Sequence, residues 1–181
     1  DRPTDTYLEQ INDTVIRGYR YSTGWSKKQQ IYFSAVFSQP VHLTLYHDSV
    51  QVAGNRLQGL DVKGNVAVAP VVEELGVKVG ISPVSMENAM DNIGQEIKDW
   101  NFENIVAETT GKWNAELSKL QVETTDTVAK RIFYTALYHA FMQPIMFNDC
   151  SGEYRGTDKN IYGDPGFTNY TVFSLWDTYR A

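Results

Sequence analysis

No apolar run in this sequence approaches the roughly 18 residues that a helix needs to cross a bilayer, so a helical membrane span is excluded. Cysteine is all but absent. The single Cys150 rules out an internal disulfide and says little about redox compartment. Basic charge is scarce and scattered: Lys and Arg number 16 against 22 Asp and Glu, a formal charge of −6. Phosphate binding needs clustered Lys and Arg, so nucleic acid is not an expected partner. No leader pattern of basic and then apolar residues opens the chain, and Asp1-Arg2-Pro3 reads as the interior of something longer. His139 has no partner His or Cys at zinc spacing, so it reads as a core or helix-packing residue and not as a metal ligand.

What is present is ordinary globular material, 42% hydrophobic and 21% charged, in a length of 181 residues that suits about one to two domains. Aromatics reach 13%, with 11 Tyr and 4 Trp. Flat rings meet sugar faces well, but they fill a large core equally well.

The first half reads as strands. Gln30–Ser38 and Val41–His47 are β-branched and aromatic, and Gln39-Pro40 separates them. Within the second, Val41, Leu43 and Leu45 alternate with His42, Thr44 and Tyr46, the pattern of a half-buried strand. Short strands are expected near Leu57–Val62 and Val66–Ala69, with turn chemistry at Gly54-Asn55 and Lys63-Gly64-Asn65. Val77–Ile81 alternates again. An antiparallel sandwich-like unit accounts for this stretch.

The hydrophobic period changes from 2 to 3.6 at Ser82-Pro83. Met86, Met90, Ile93, Ile97 and Trp100 make one helical stripe that Ser85 can cap. Phe102, Val106, Trp113, Leu117 and Leu120 continue at helical spacing, with Gly111 as a weak point. A third helix carries Val128, Ile132, Phe133, Ala136, Leu137, Ala140 and Phe141, and ends at Gln143-Pro144. A long polar loop from Ile145 to Tyr170 follows, and Ser174-Leu-Trp-Asp177 looks like the first turn of another helix. Strands and then helices, neither set complete, suggest a window across a domain junction. The expected parts are residues 1–83 as later sandwich strands, 84–122 as a helical linker, and 123–181 as the start of a helical domain.

Five blocks make the reading specific. Ile16–Trp25 (IRGYRYSTGW), Val77–Ala89 (VKVGISPVSMENA), Phe133–Phe141 (FYTALYHAF), Gly152–Gly156 (GEYRG) and Gly166–Ala181 (GFTNYTVFSLWDTYRA) resemble, in this order, glycoside hydrolase family 92. That resemblance implies a β-sandwich, linker helices and a catalytic (α/α)6 barrel, of which this chain would hold only the beginning. It implies a calcium-dependent, inverting exo-α-mannosidase acting on terminal mannose of glycans such as N-glycans or mannans. It also implies a bacterial secreted, periplasmic or cell-surface location, with the remainder of the parent chain as an obligatory partner.

The resemblance carries over no catalytic acid, base or Ca2+ ligand onto these residues; all are expected beyond residue 181. What remains are substrate-contact candidates. Asp177 matches a family carboxylate that accepts from sugar hydroxyls, and its plainer reading is a first-turn carboxylate favoured by the helix dipole. Trp176 is either a flank for the sugar or barrel core. Trp25 reads as a core or interface residue, with a sugar-facing loop position as the alternative. Asp149–Glu153 and Asp158-Lys-Asn160 do not fit an EF-hand and read as solvated turns. Two rivals stand beside the mannosidase: another (α/α)-barrel hydrolase acting on α-glucosides, and a non-catalytic carbohydrate-binding module.

Overall fold

The computed structural model describes residues 2–69, 74–163 and 166–171. The helical turn expected at Ser174–Asp177 lies outside them. The chain divides into two compact units, residues 1–100 with 148–167, and 101–147 with 168–181.

The first unit is built on strands. β1 (Arg2–Asn12), β2 (Val15–Thr23), β3 (Gln29–Phe37), β6 (Arg56–Gly59) and β8 (Val77–Ser82) form an antiparallel sheet in the order β6-β1-β2-β3-β8. β4 (Val41–His47), β5 (Val50–Val52) and β7 (Val62–Val68) form a second sheet in the order β5-β4-β7. The alternation expected in β4 is realised: Val41, Leu43 and Leu45 are buried and join Ile16, Leu8, Phe33, Phe37 and Leu57 between the sheets. Sandwich-like sheets followed by helices are therefore the observed order, as the change of period required.

One side chain ties the sheets together. The Gln10 amide of β1 donates to the Val41 carbonyl at 2.8 Å, and its oxygen accepts from the Leu43 N–H at 2.9 Å. Opposite this bond, β5 leaves residues 41–43 of β4 unpaired, so Gln10 stands in for a neighbouring strand.

Lys63-Gly64-Asn65 is not a turn. These residues lie inside β7, where Gly64 pairs with Leu45. A Cβ at Gly64 would sit 2.7 Å from the Leu43 side chain, so the glycine marks a close approach within the sandwich.

α1 (Met86–Glu96) covers the other face of the larger sheet. Ser85 caps it, its hydroxyl accepting from the Asn88 N–H at 3.0 Å. Ala89 and Ile93 are buried, and the Ser34 hydroxyl of β3 donates to the Met86 carbonyl at 2.9 Å. The helix stops at Glu96, so Trp100 does not extend its stripe. The indole lies against Gly76 instead, with the Lys78 ammonium 4.4 Å from its ring centre.

The second unit holds α2 (Phe102–Leu117) and α3 (Thr127–Phe141), capped by Asn101 and Asp126. Trp113 and Tyr138 join them with ring centres 4.5 Å apart, and the Tyr134 hydroxyl donates to the Leu120 carbonyl at 3.1 Å. Met146 bridges to Tyr170, with the Phe147 N–H donating to the Asn169 carbonyl at 2.8 Å.

Candidate functional site

Several candidate features gather at one end of the larger sheet. β2 and β3 are joined there by residues 24–28, and Tyr32 pairs with Ser82, the last residue of β8. Trp25 sits in that β2–β3 loop and is fully exposed. This position corrects the core half of the expectation and leaves the interface and sugar-facing readings standing. The Gly24 N–H donates to the Ser26 carbonyl at 3.0 Å across this loop.

The corner from β8 into α1 lies beside this loop in the same sheet end, and residues 149–155 dock on it. Asp149, expected in a solvated turn, is 6% exposed. Its carboxylate accepts from the Ser82 hydroxyl at 2.5 Å, the Asn88 amide at 3.0 Å and the Asn92 amide at 2.8 Å. The Asn92 oxygen in turn accepts the Cys150 N–H at 2.8 Å. The Asn88 amide also reaches Glu153 at 2.8 Å. Arg155, in β9 (Tyr154–Arg155), donates to the Pro83 carbonyl at 2.7 Å and to the Lys159 carbonyl at 2.8 Å. β9 pairs with β10 (Ile161–Tyr162), where the Tyr162 hydroxyl donates to Asp158 at 2.7 Å and holds that carboxyl below its ordinary range.

Sequence reasoning missed this cluster. Its one sequence signal is Asn88 and Asn92, one helical turn apart and flanking the buried Ala89; two amides on the packed side of a helix need a polar partner. The partner comes from 57 to 61 residues away, beyond the reach of any local pattern.

Behind the corner, on the face that carries α1, stand four tyrosines. Tyr7 and Tyr19 stack at 5.5 Å, Tyr19 and Tyr21 at 4.4 Å, and the Tyr21 and Tyr32 hydroxyls share a hydrogen bond of 2.7 Å. Burial, then its hydrogen bond to Asp5, pushes the Tyr19 phenol up to about 12. Burial, then the bond to Tyr32, drives Tyr21 upward as well. Burial, followed by Glu96, raises the Cys150 thiol.

Of the expected contact residues, only Trp25 falls among the described ones; Trp176 and Asp177 lie outside them. Among the described residues no group of three or more His, Cys, Asp or Glu is placed to hold a metal. Nor is any described helix long and apolar enough to cross a membrane.

The family model for the glycosyl hydrolase family 92 catalytic domain matches residues 88–181, just over half of the chain. The chain belongs to glycosyl hydrolase family 92. A family 92 α-mannosidase of Bacteroides thetaiotaomicron is 36% identical over 98% of this chain and 25% of its own, with a TM-score of 0.88. The same enzyme has been solved in complex with mannoimidazole. A second family 92 glycosyl hydrolase is 26% identical over 97% of this chain and 24% of its own, at a TM-score of 0.86. An inverting family 92 mannosidase, also from Bacteroides thetaiotaomicron, shares the fold at 23% identity and a TM-score of 0.83. No curated protein matches the sequence. This family 92 chain spans about a quarter of the length of the solved relatives it resembles.

Three of the blocks that carry the family resemblance now have a common location. Ile16–Trp25, Val77–Ala89 and Gly152–Gly156 lie far apart in sequence but are linked at the β2–β3 end of the sheet: Tyr21 bonds Tyr32, Tyr32 pairs with Ser82, and Arg155 donates to the Pro83 carbonyl.

Proposed function

We propose that the complete protein is an inverting, calcium-dependent exo-α-mannosidase that removes terminal mannose from glycans such as N-glycans or mannans. The observation that carries the reading is membership of family 92, together with a relative, 36% identical over 98% of this chain, that has been solved with mannoimidazole. The exposed indole of Trp25 supports it from within the chain. Within these residues the indole offers a bare flat face, and a sugar ring is one natural cover for it.

In this reading Trp25 forms an apolar wall for the terminal mannose. Asp177 accepts hydrogen bonds from two vicinal hydroxyls, and Trp176 flanks the ring. Inversion needs a carboxylic acid to protonate the leaving oxygen and a carboxylate to activate water, about 6.5–9.5 Å apart. Both are expected beyond residue 181. On the family resemblance, the ligands for calcium are expected there too. We extend the proposal to location: a secreted, periplasmic or cell-surface site, where such glycans are met, which cell fractionation checks.

The test is to express the full-length protein and follow α-mannoside hydrolysis by NMR, with an α-glucoside in parallel. The expected first product is β-mannose, formed with calcium and lost on chelation. Turnover of the α-glucoside alone would support the other (α/α)-barrel hydrolases, and glycan binding without turnover would support a binding module.

A further inference from the structure

The Asp149 carboxylate has no part in the chemistry proposed above, yet its construction is costly. Taking a carboxylate out of water is unfavourable unless it is paired or fully hydrogen-bonded. No salt bridge reaches Asp149 among the described residues; neutral donors satisfy it instead.

The polarity of those donors is locked. Asn92 cannot turn its amide around, because its nitrogen also serves the Ile81 carbonyl at 3.0 Å and its oxygen the Cys150 N–H at 2.8 Å. Asn88 is held likewise, its oxygen accepting from the Ser85 hydroxyl at 2.9 Å while its nitrogen serves Asp149 and Glu153. The Ser82 oxygen accepts from the Val84 N–H at 2.9 Å and the Ser85 N–H at 3.2 Å, which turns its proton toward Asp149. Only a group that accepts at both oxygens fits this position.

The same corner reaches the Trp25 loop by two routes within one unit. Ser82 pairs with Tyr32 of β3, and β3 begins at Gln29, where the Trp25 loop ends. Arg155, held to the Pro83 carbonyl at the corner, carries a charge that acts on the Tyr21 phenol, two residues before β2 gives way to the loop.

We propose that Asp149 is a positioning residue for substrate binding: it fixes residues 149–155 on the β8–α1 corner and thereby sets the Trp25 loop. The proposal rests on the mannosidase reading, in which Trp25 touches the sugar. A wall contact of that kind is made in the ground state and the transition state alike, so misplacing it raises KM and leaves kcat nearly alone.

The experiment is a double-mutant cycle in the full-length protein, assayed on an aryl α-mannoside well below the melting temperature of every variant. Asp149→Asn keeps the shape but turns an amide donor toward other donors; it should raise KM on the order of tenfold with kcat within about twofold. Ser82→Ala leaves two donors in place and should raise KM less. In a Trp25→Ala background neither substitution should raise KM much further, because the contact they position is already gone. Additive effects on KM, or a lowered melting temperature with normal KM, would make Asp149 a structural staple and overturn the proposal. If Asp149→Asn does not fold, the Ser82→Ala cycle decides by the same criteria. A wild-type protein inert toward mannosides overturns the functional reading together with this one; an active wild type with an additive cycle overturns this one alone.

Discussion

Gly80 lies directly beneath the carbonyl of Ala89: a Cβ added to the glycine would stand 2.0 Å from that oxygen and 2.7 Å from the Ile93 side chain. The glycine is what lets α1 settle onto β8. Gly80→Ala must push the helix away and uncover Ala89 and Ile93, so it should cost about 3 kcal/mol or more. Denaturant unfolding followed by circular dichroism measures the loss, and unchanged stability would mean that the helix does not seat this closely.

Ser85→Ala is a smaller change at the same helix. It removes the hydroxyl that accepts from the Asn88 N–H, and a lost N-cap costs about 1 kcal/mol. Ser85→Asp should restore most of that stability, because aspartate caps as well as serine. Equal destabilisation by both would point to packing, not capping.

The Tyr19 phenol, raised to about 12 in the fold, defines an alkaline limit. In the unfolded chain it titrates near its ordinary value of 10. The folded state therefore holds this proton more tightly, and the associated stability is fully present below pH 10. It falls away as the pH climbs from about 10 to about 12. Ultraviolet phenolate titration should show a tyrosine that resists ionisation at about pH 11 until the protein unfolds. Tyr19→Phe should narrow the loss of stability across that window.

Asp177→Asn separates the two readings of that residue, since asparagine caps a helix about as well as aspartate but carries no charge. In the complete protein a sugar-contacting Asp177 should lose on the order of 100-fold in kcat/KM with little change in melting temperature. Near-normal kinetics would reduce it to a helix-terminal carboxylate.

The 181-residue chain by itself should bind a hydrophobic dye and release no mannose. Val77, Val79 and Ile81 on the edge strand are 48%, 56% and 67% exposed, and Val128 and Ile132 on α3 are 66% and 65% exposed. Exposed apolar side chains on an edge strand and on a helix each favour association. Calcium-dependent turnover by the purified chain would place the catalytic carboxylates within it, against expectation.

Whatever depends on near neighbours is legible in the sequence. β4 is readable because Val41, Leu43 and Leu45 alternate, and α1 because Ser85 precedes a helical stripe. The errors come where a distant partner decides. Gly64 resembles turn chemistry because nothing nearby reveals that Leu43 presses on it from another strand. Asp149 reads as solvated because its three donors come from residues 82, 88 and 92. Hydrophobicity alone sends Trp25 to a core or an interface, and it cannot show that the β2–β3 loop carries the ring outside the core of this unit. The family resemblance is legible for a different reason. Three of its blocks are short runs that share one end of a sheet, so each keeps its identity through contacts with the others.

The hydroxyl of Ser82 waits for an acceptor 67 residues further along the chain. The unit that contains both is discontinuous, residues 1–100 and 148–167. On a ribosome adding about 5–20 residues each second, the last contacts of the sandwich therefore arrive seconds after its final long strand has been made. During that interval Asn88 and Asn92 keep their local bonds to Ser85 and Ile81 but lack the Asp149 carboxylate. A cut between Trp100 and Asn101 would make the interval permanent and leave the Ser82, Asn88 and Asn92 donors without the carboxylate that the fold supplies them.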